Sequence, residues 1–104
     1  MNESCKDTFV QSRSARLDIE DIVRYISADD LDRAITFGAF LIKHTERLGQ
    51  FPELGRVVPE LDDDSIREII VRAYRVVYRI DHGKRLIEVV RFWHAGRATP
   101  DLPG

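Results

Sequence analysis

Cysteine is nearly absent from this 104-residue chain, in which Cys5 stands alone. A single thiol closes no internal disulfide and assembles no thiolate metal site within the chain, which points to a reducing cytosol. Long apolar runs are missing as well: no segment approaches the ~20 residues that a bilayer crossing requires. The start "MNESCKDTF" has neither an apolar core nor a cleavage-like ending, so export and membrane insertion are not expected and the chain reads as cytoplasmic. There is no Gly-rich phosphate loop, no HExxH, no paired cysteines and no GxSxG. Neither a metal nor another cofactor is expected.

What remains is a composition of 43% hydrophobic and 33% charged residues, that of an ordinary soluble protein. The length suffices for one modest core and is too short for two, so residues 1–104 read as a single domain. A net charge of −2 conceals an asymmetry. Residues 1–55 carry seven Lys/Arg against ten Asp/Glu, whereas residues 65–104 carry eight against four. The basic charge belongs to the C-terminal half, and the run Asp62, Asp63, Asp64 between the halves reads as a solvated loop.

Hydrophobic spacing supplies the elements. "DTFVQS" (7–12) suits a short strand, and Ser12 or Ser14 suits a helix N-cap. Ala15, Ile19, Ile22 and Ile26 recur at three and four residues, the spacing of one helix face. "SADD" (27–30) interrupts that pattern, and Leu31, Ile35, Gly38 and Ile42, flanked by Ala34, Leu41 and Leu48, restart it in a second helix that Gly49 is placed to cap in a left-handed conformation. Two helices so closely linked predict an antiparallel hairpin. "GQFPELGRVVPELDDD" (49–64) is a connector with one short edge strand at 56–59. Beyond it the period becomes two, giving a strand over 67–72 and a pair of strands around the "DHGK" turn (81–84).

With a four-residue hairpin loop, Ile80 pairs with Arg85, Tyr78 with Ile87 and Val76 with Val89. That register puts Tyr74, Val76, Tyr78, Ile87 and Val89 under the helices. It leaves Arg75 and Arg79 on the other face beside Glu88, Val90, Phe92 and His94. The expected fold is therefore α+β, a helix hairpin on one face of a small, mainly antiparallel sheet.

Three residues could carry chemistry. Arg75, mid-strand on the wet face, reads as a solvated arginine paired with Glu88, so that its removal should hardly affect melting. Its planar guanidinium would equally suit a bidentate phosphate or carboxylate. His94, after an apolar strand and beside Trp93, would have its protonated form disfavoured by nearby arginines. Glu60, after Pro59, is the carboxylate placed to act as a base, though a plain loop charge reads as well.

Taken together, "FPELGRVVPEL" (51–61), "REIIVRAYRVVYRID" (67–81) and "VVRFWHAGR" (89–97), with the helical "LDIEDIVRYI", resemble the RelE/ParE superfamily of toxins from type II toxin–antitoxin modules. The resemblance implies the same α+β fold, a cognate antitoxin as partner and inhibition of bacterial growth. Two mechanisms live on this fold. RelE-like and YoeB-like members are metal-independent, ribosome-dependent mRNA endonucleases, which would make Arg75, His94 and Glu60 the catalytic set. ParE-like plasmid-stabilisation proteins act against DNA gyrase, which would make Arg75, Arg79, Arg91, Trp93 and Arg97 target-binding residues. No tyrosine follows Tyr78, and Lys84 is the only lysine beyond Lys43, so the tyrosine and the lysine-rich strand of the nuclease branch are missing. "PELGR" and "WHAGR" resemble the ParE-like branch, which is the one expected here. A non-toxic protein-binding module of the same fold is the third alternative.

Overall fold

A computed structural model describes residues 8–96. Its elements run β1 (Thr8–Gln11), α1 (Arg13–Ser27), α2 (Leu31–Glu46), a 3-10 turn (Arg47–Gly49), β2 (Arg56–Val57), β3 (Ile66–Val71), β4 (Tyr74–Asp81) and β5 (Leu86–His94). The five strands form one sheet in the order β1-β5-β4-β3-β2. Neighbours are antiparallel except β1, which lies parallel to β5 with Thr8 opposite Leu86 and Gln11 opposite Val89. Residue 7 of the expected first strand, Cys5 and Arg97 lie outside the described residues.

Both helices start where the sequence places a capping side chain. The Ser12 hydroxyl accepts the Ala15 N–H at 3.1 Å and donates to the Val90 carbonyl at 3.1 Å, so one oxygen begins α1 and ties it to β5. Asp30 accepts the Arg33 N–H to begin α2. The end of α2 differs from expectation. The helix tightens into the 3-10 turn, and no glycine among the described residues has positive φ, so Gly49 does not act as a left-handed cap. Gly38 has a different use: a Cβ there would lie 2.9 Å from Val23 Cγ2, and its absence lets the two helices approach.

The main core lies between helices and sheet and includes Ala15, Ile22, Leu41, Leu48, Val76, Tyr78, Ile87, Val89 and Phe92. α2 buries Ala34, Gly38, Leu41 and Thr45; Leu31 and Ile35, expected on its core stripe, are exposed. A smaller cluster, Val58, Ile66, Val77 and Val90 with Leu61 against it, fills the back of the sheet. The tyrosine of the central strand anchors the connector. The Gly55 N–H donates to the Tyr78 hydroxyl at 2.9 Å, and that hydroxyl donates to the Pro52 carbonyl at 2.7 Å. Burial raises the phenol's pKa.

The β4–β5 register departs from the sequence reading in two steps. Asp81 pairs with Leu86, so the loop is residues 82–85 and Tyr78 faces Val89 rather than Ile87. A shift of two leaves every side chain on its expected face. Val90 then stands as an extra residue in a bulge between Tyr78 and Val77, after which Val77 pairs with Arg91, Val76 with Phe92 and Tyr74 with His94. One extra residue reverses the facing of the rest of the strand. Phe92 therefore enters the main core, and His94 turns to the helix side, the reverse of the face the sequence suggested for both.

Phe92→Asp should accordingly unfold the domain as completely as Val76→Asp, because each buries an unpaired carboxylate at a cost of several kcal/mol. Thermal melts of the two purified variants check this. A Phe92→Asp protein that melts like wild type would restore the unbulged register.

Candidate functional site

A buried carboxylate organises the back of the sheet. Arg72 and Ala73 link β3 to β4, and the resulting register sets Glu68 opposite Val77 and Ile70 opposite Arg75. Glu68 is 1% exposed. It accepts the Arg75 Nε–H at 2.6 Å and the Arg56 Nε–H at 2.8 Å, one on each carboxylate oxygen. Arg75, 8% exposed, turns its outer edge to Glu60, with Nη1 and Nη2 donating to the two carboxylate oxygens at 3.0 and 2.8 Å. The chain Arg56, Glu68, Arg75, Glu60 thus spans β2, β3, β4 and the loop after Pro59. The hydrogen bonds from Arg75 hold the Glu60 carboxyl below the usual carboxylate range. Those to Glu60 and then Glu68 raise the guanidinium further above its already high value, against the opposing effect of burial.

Arg75 is therefore neither solvated nor paired with Glu88, which lies opposite Arg79 in the sheet. The reason is the two-residue β3–β4 turn, which brings Glu68 beside it. The structure brings Glu60 and Arg75 together and leaves His94 elsewhere. His94 sits on the helix side, edge-on to Tyr74 with ring centroids 5.4 Å apart, and its Nδ1 accepts the Gly96 N–H at 3.0 Å. It borders a cavity of about 440 Å³ lined also by Asp18, Asp21, Ile22, Tyr25, Tyr74 and Phe92. Arg79 lies on the back face, half-buried. Arg91 is held by Asp18, at 2.8 Å from Nε and 2.9 Å from Nη2, and its guanidinium lies 4.8 Å from the Trp93 ring centroid.

Sequence reasoning missed Glu68 and Asp18. Both act where backbone or charge would otherwise be unmatched: Asp18 also accepts the Phe92 N–H at 2.9 Å, on the stretch of β5 that β1 does not cover. A signal for Glu68 existed, since it lies two residues from Ile66, on the same face of an apolar strand. The signal for Asp18 did not, because its partner lies 73 residues away. Among the described residues no group of three or more His, Cys, Asp or Glu side chains could hold a metal ion. The geometry offers a guanidinium fork already filled by two carboxylates, with no histidine on its side of the sheet.

This helix hairpin on a five-stranded sheet is the fold of toxins from type II modules. It is similar to a chain in the chromosomal ParDE toxin–antitoxin system of P. aeruginosa, with a TM-score of 0.71 and 15% identity, covering 86% of this chain and 96% of that one. It is also similar to a chain in the RelBE2 toxin–antitoxin complex of Mycobacterium tuberculosis, with a TM-score of 0.57 and 20% identity, covering 86% and 98% respectively. Comparison with curated protein sequences finds no match. The family model described as the ParE toxin of the type II toxin–antitoxin system parDE matches residues 9–99. The chain belongs to the ParE toxin family.

The buried ion pairs set two expectations. Arg75→Ala should destabilise the fold by about 3 kcal/mol or more, the usual result of stripping one partner from a buried pair, whereas exposed His94→Ala should cost less than about 1 kcal/mol. Urea denaturation of both variants measures the difference, and equal values would contradict it. Because the folded-state pKa of Glu60 is depressed, its contribution to stability is present above the ordinary glutamate value of about 4.3 and is lost as pH falls through the folded value. Glu60→Gln should flatten the acid limb of stability against pH, measured as Tm from neutral pH down to the acid transition.

Proposed function

We propose that this ParE-family toxin arrests bacterial growth through DNA gyrase in the cytoplasm, and that a cognate antitoxin neutralises it by binding the helix hairpin or the sheet. Family membership supports the toxin role and a partner antitoxin. The observation that carries the choice of target is the separation of the acid–base set. Glu60 is committed to Arg75, and His94 lies across the sheet from both. Cleavage of RNA by attack of a 2′-hydroxyl needs a base, an acid and a cation around a single phosphate, and these three side chains do not face a common point. A protein that acts by holding a target complex requires only a surface. On this reading Arg79, Arg91 and Trp93, with Arg97 and the chain to Gly104, contact the target, and Arg75 shapes the face behind them. No helix among the described residues is long and apolar enough to cross a membrane.

Expression alone should arrest growth, with relief on co-expression of an abutting small gene. Truncation after Gly96, which spares the 2.7 Å bond from the Ala95 N–H to the Ala73 carbonyl, should abolish the arrest, while His94→Ala leaves most of it. Gyrase-linked DNA breaks and mRNA 5′ ends are mapped in the same arrested cells. Ribosome-dependent cuts that vanish with His94→Ala, in the absence of DNA breaks, would overturn the gyrase reading.

A further inference from the structure

The cavity of about 440 Å³ that His94 borders is built from two elements that meet at the end of β5. From α1 come Asp18, Asp21, Ile22 and Tyr25, spaced i, i+3, i+4 and i+7 and therefore on one side of the helix, at the flank of the stripe that enters the core. From the sheet come Tyr74, Phe92 and His94, with Tyr74 and His94 directly opposite each other on β4 and β5. The volume is within the range of small-molecule sites.

The lining has one electrostatic sign. Its two carboxylates are not balanced from within, because among the described residues no lysine or arginine lines the cavity. The rings of Tyr25, Tyr74 and Phe92 supply much of the remaining wall. Aromatic faces attract cations, so rings and carboxylates favour the same kind of ligand. Phosphates and nucleotides would meet the repulsion of Asp18 and Asp21.

The two carboxylates differ in availability. Asp18 is committed to Arg91 and the Phe92 N–H. Asp21 is paired with Arg24, but both side chains are 72% exposed, and an exposed pair three residues apart on a helix is weak enough to give way to another cation. Tyr25, four residues after Asp21, is 82% exposed, a large ring held at the rim rather than packed. Side chains at this spacing are neighbours on the helix surface, so one cation can meet the Asp21 carboxylate and the Tyr25 ring together.

We propose that the cavity between α1 and the end of β5 binds a small organic cation, an aliphatic amine or guanidinium, with its charge held by Asp21 and Tyr25 and its carbon chain against Tyr74. Neither Arg79, Arg91 nor Trp93 lines the cavity, so the site stands or falls independently of the gyrase reading.

The test is isothermal titration calorimetry of the purified full chain with three probes of similar length: agmatine, which carries an amine and a guanidinium, the dianion glutarate and neutral 1,5-pentanediol. Agmatine should bind saturably at one site, and the other two should not. Asp21→Asn and Tyr25→Ala should each weaken agmatine about tenfold. Both positions are exposed, so these variants should melt like wild type. Glu20→Gln removes the same charge from an exposed position of the same helix outside the cavity, and should leave the affinity unchanged. Absence of saturable agmatine binding, or preference for glutarate or pentanediol, would overturn the proposal. So would equal losses in Glu20→Gln and Asp21→Asn, the mark of diffuse attraction, or an affinity unchanged in Tyr25→Ala.

Discussion

The fully buried carboxylate of Glu68 is the constraint on which the back half of the molecule depends. A carboxylate removed from water is tolerated only when cations and donors replace its hydration. Here Arg56 supplies one side and Arg75 the other. Satisfying Glu68 fixes the edge strand β2 against β3, holds Arg75 flat on β4 and leaves the outer edge of its guanidinium to a further carboxylate, which Glu60 provides. The loop after Pro59 is thereby drawn over Val58, Val77 and Val90, closing a second small core where an open, wet sheet face would otherwise lie. An arginine in this setting is a structural cross-link before it is anything else.

On the other side of β4 the decisive feature is the extra residue Val90. Two consecutive buried valines, Val89 in the main core and Val90 in the back cluster, satisfy both layers at once. Because Val90 has no partner on β4 and Arg91 takes the next pairing, opposite Val77, the facing of Phe92 and His94 is reversed relative to simple alternation. That reversal joins Tyr74 and His94 to the rings of Phe37 and Phe40 at the helix side and separates His94 from Arg75. A nuclease-like trio visible in the linear chain is thus divided between two faces. β1 ends opposite Val89, so beyond that point β5 has no strand neighbour on the edge away from β4, a gap that Asp18 fills from α1 with its hydrogen bonds to Arg91 and the Phe92 N–H.

Features that depend on local spacing were settled within the linear chain. The 3.6-residue recurrence of Ala15, Ile19, Ile22 and Ile26, the caps Ser12 and Asp30, and the alternation through Tyr74, Val76 and Tyr78 are each set by neighbours a few residues away. The helix hairpin, the strands and the face of β4 that meets the core were legible for that reason, and the ordered motifs pointed to the ParE family. Tertiary structure decided what depends on pairing between distant segments. The parallel seat of β1 on β5, the bulge at Val90, the burial of Glu68 and the contact of Asp18 with Arg91 each join residues far apart in sequence. Period-two alternation carries no mark of a single inserted residue, and the charge of a glutamate does not say which arginine will be near enough to bury it. The face on which His94 lies, and with it the chemistry open to Arg75, was therefore a property of the folded sheet.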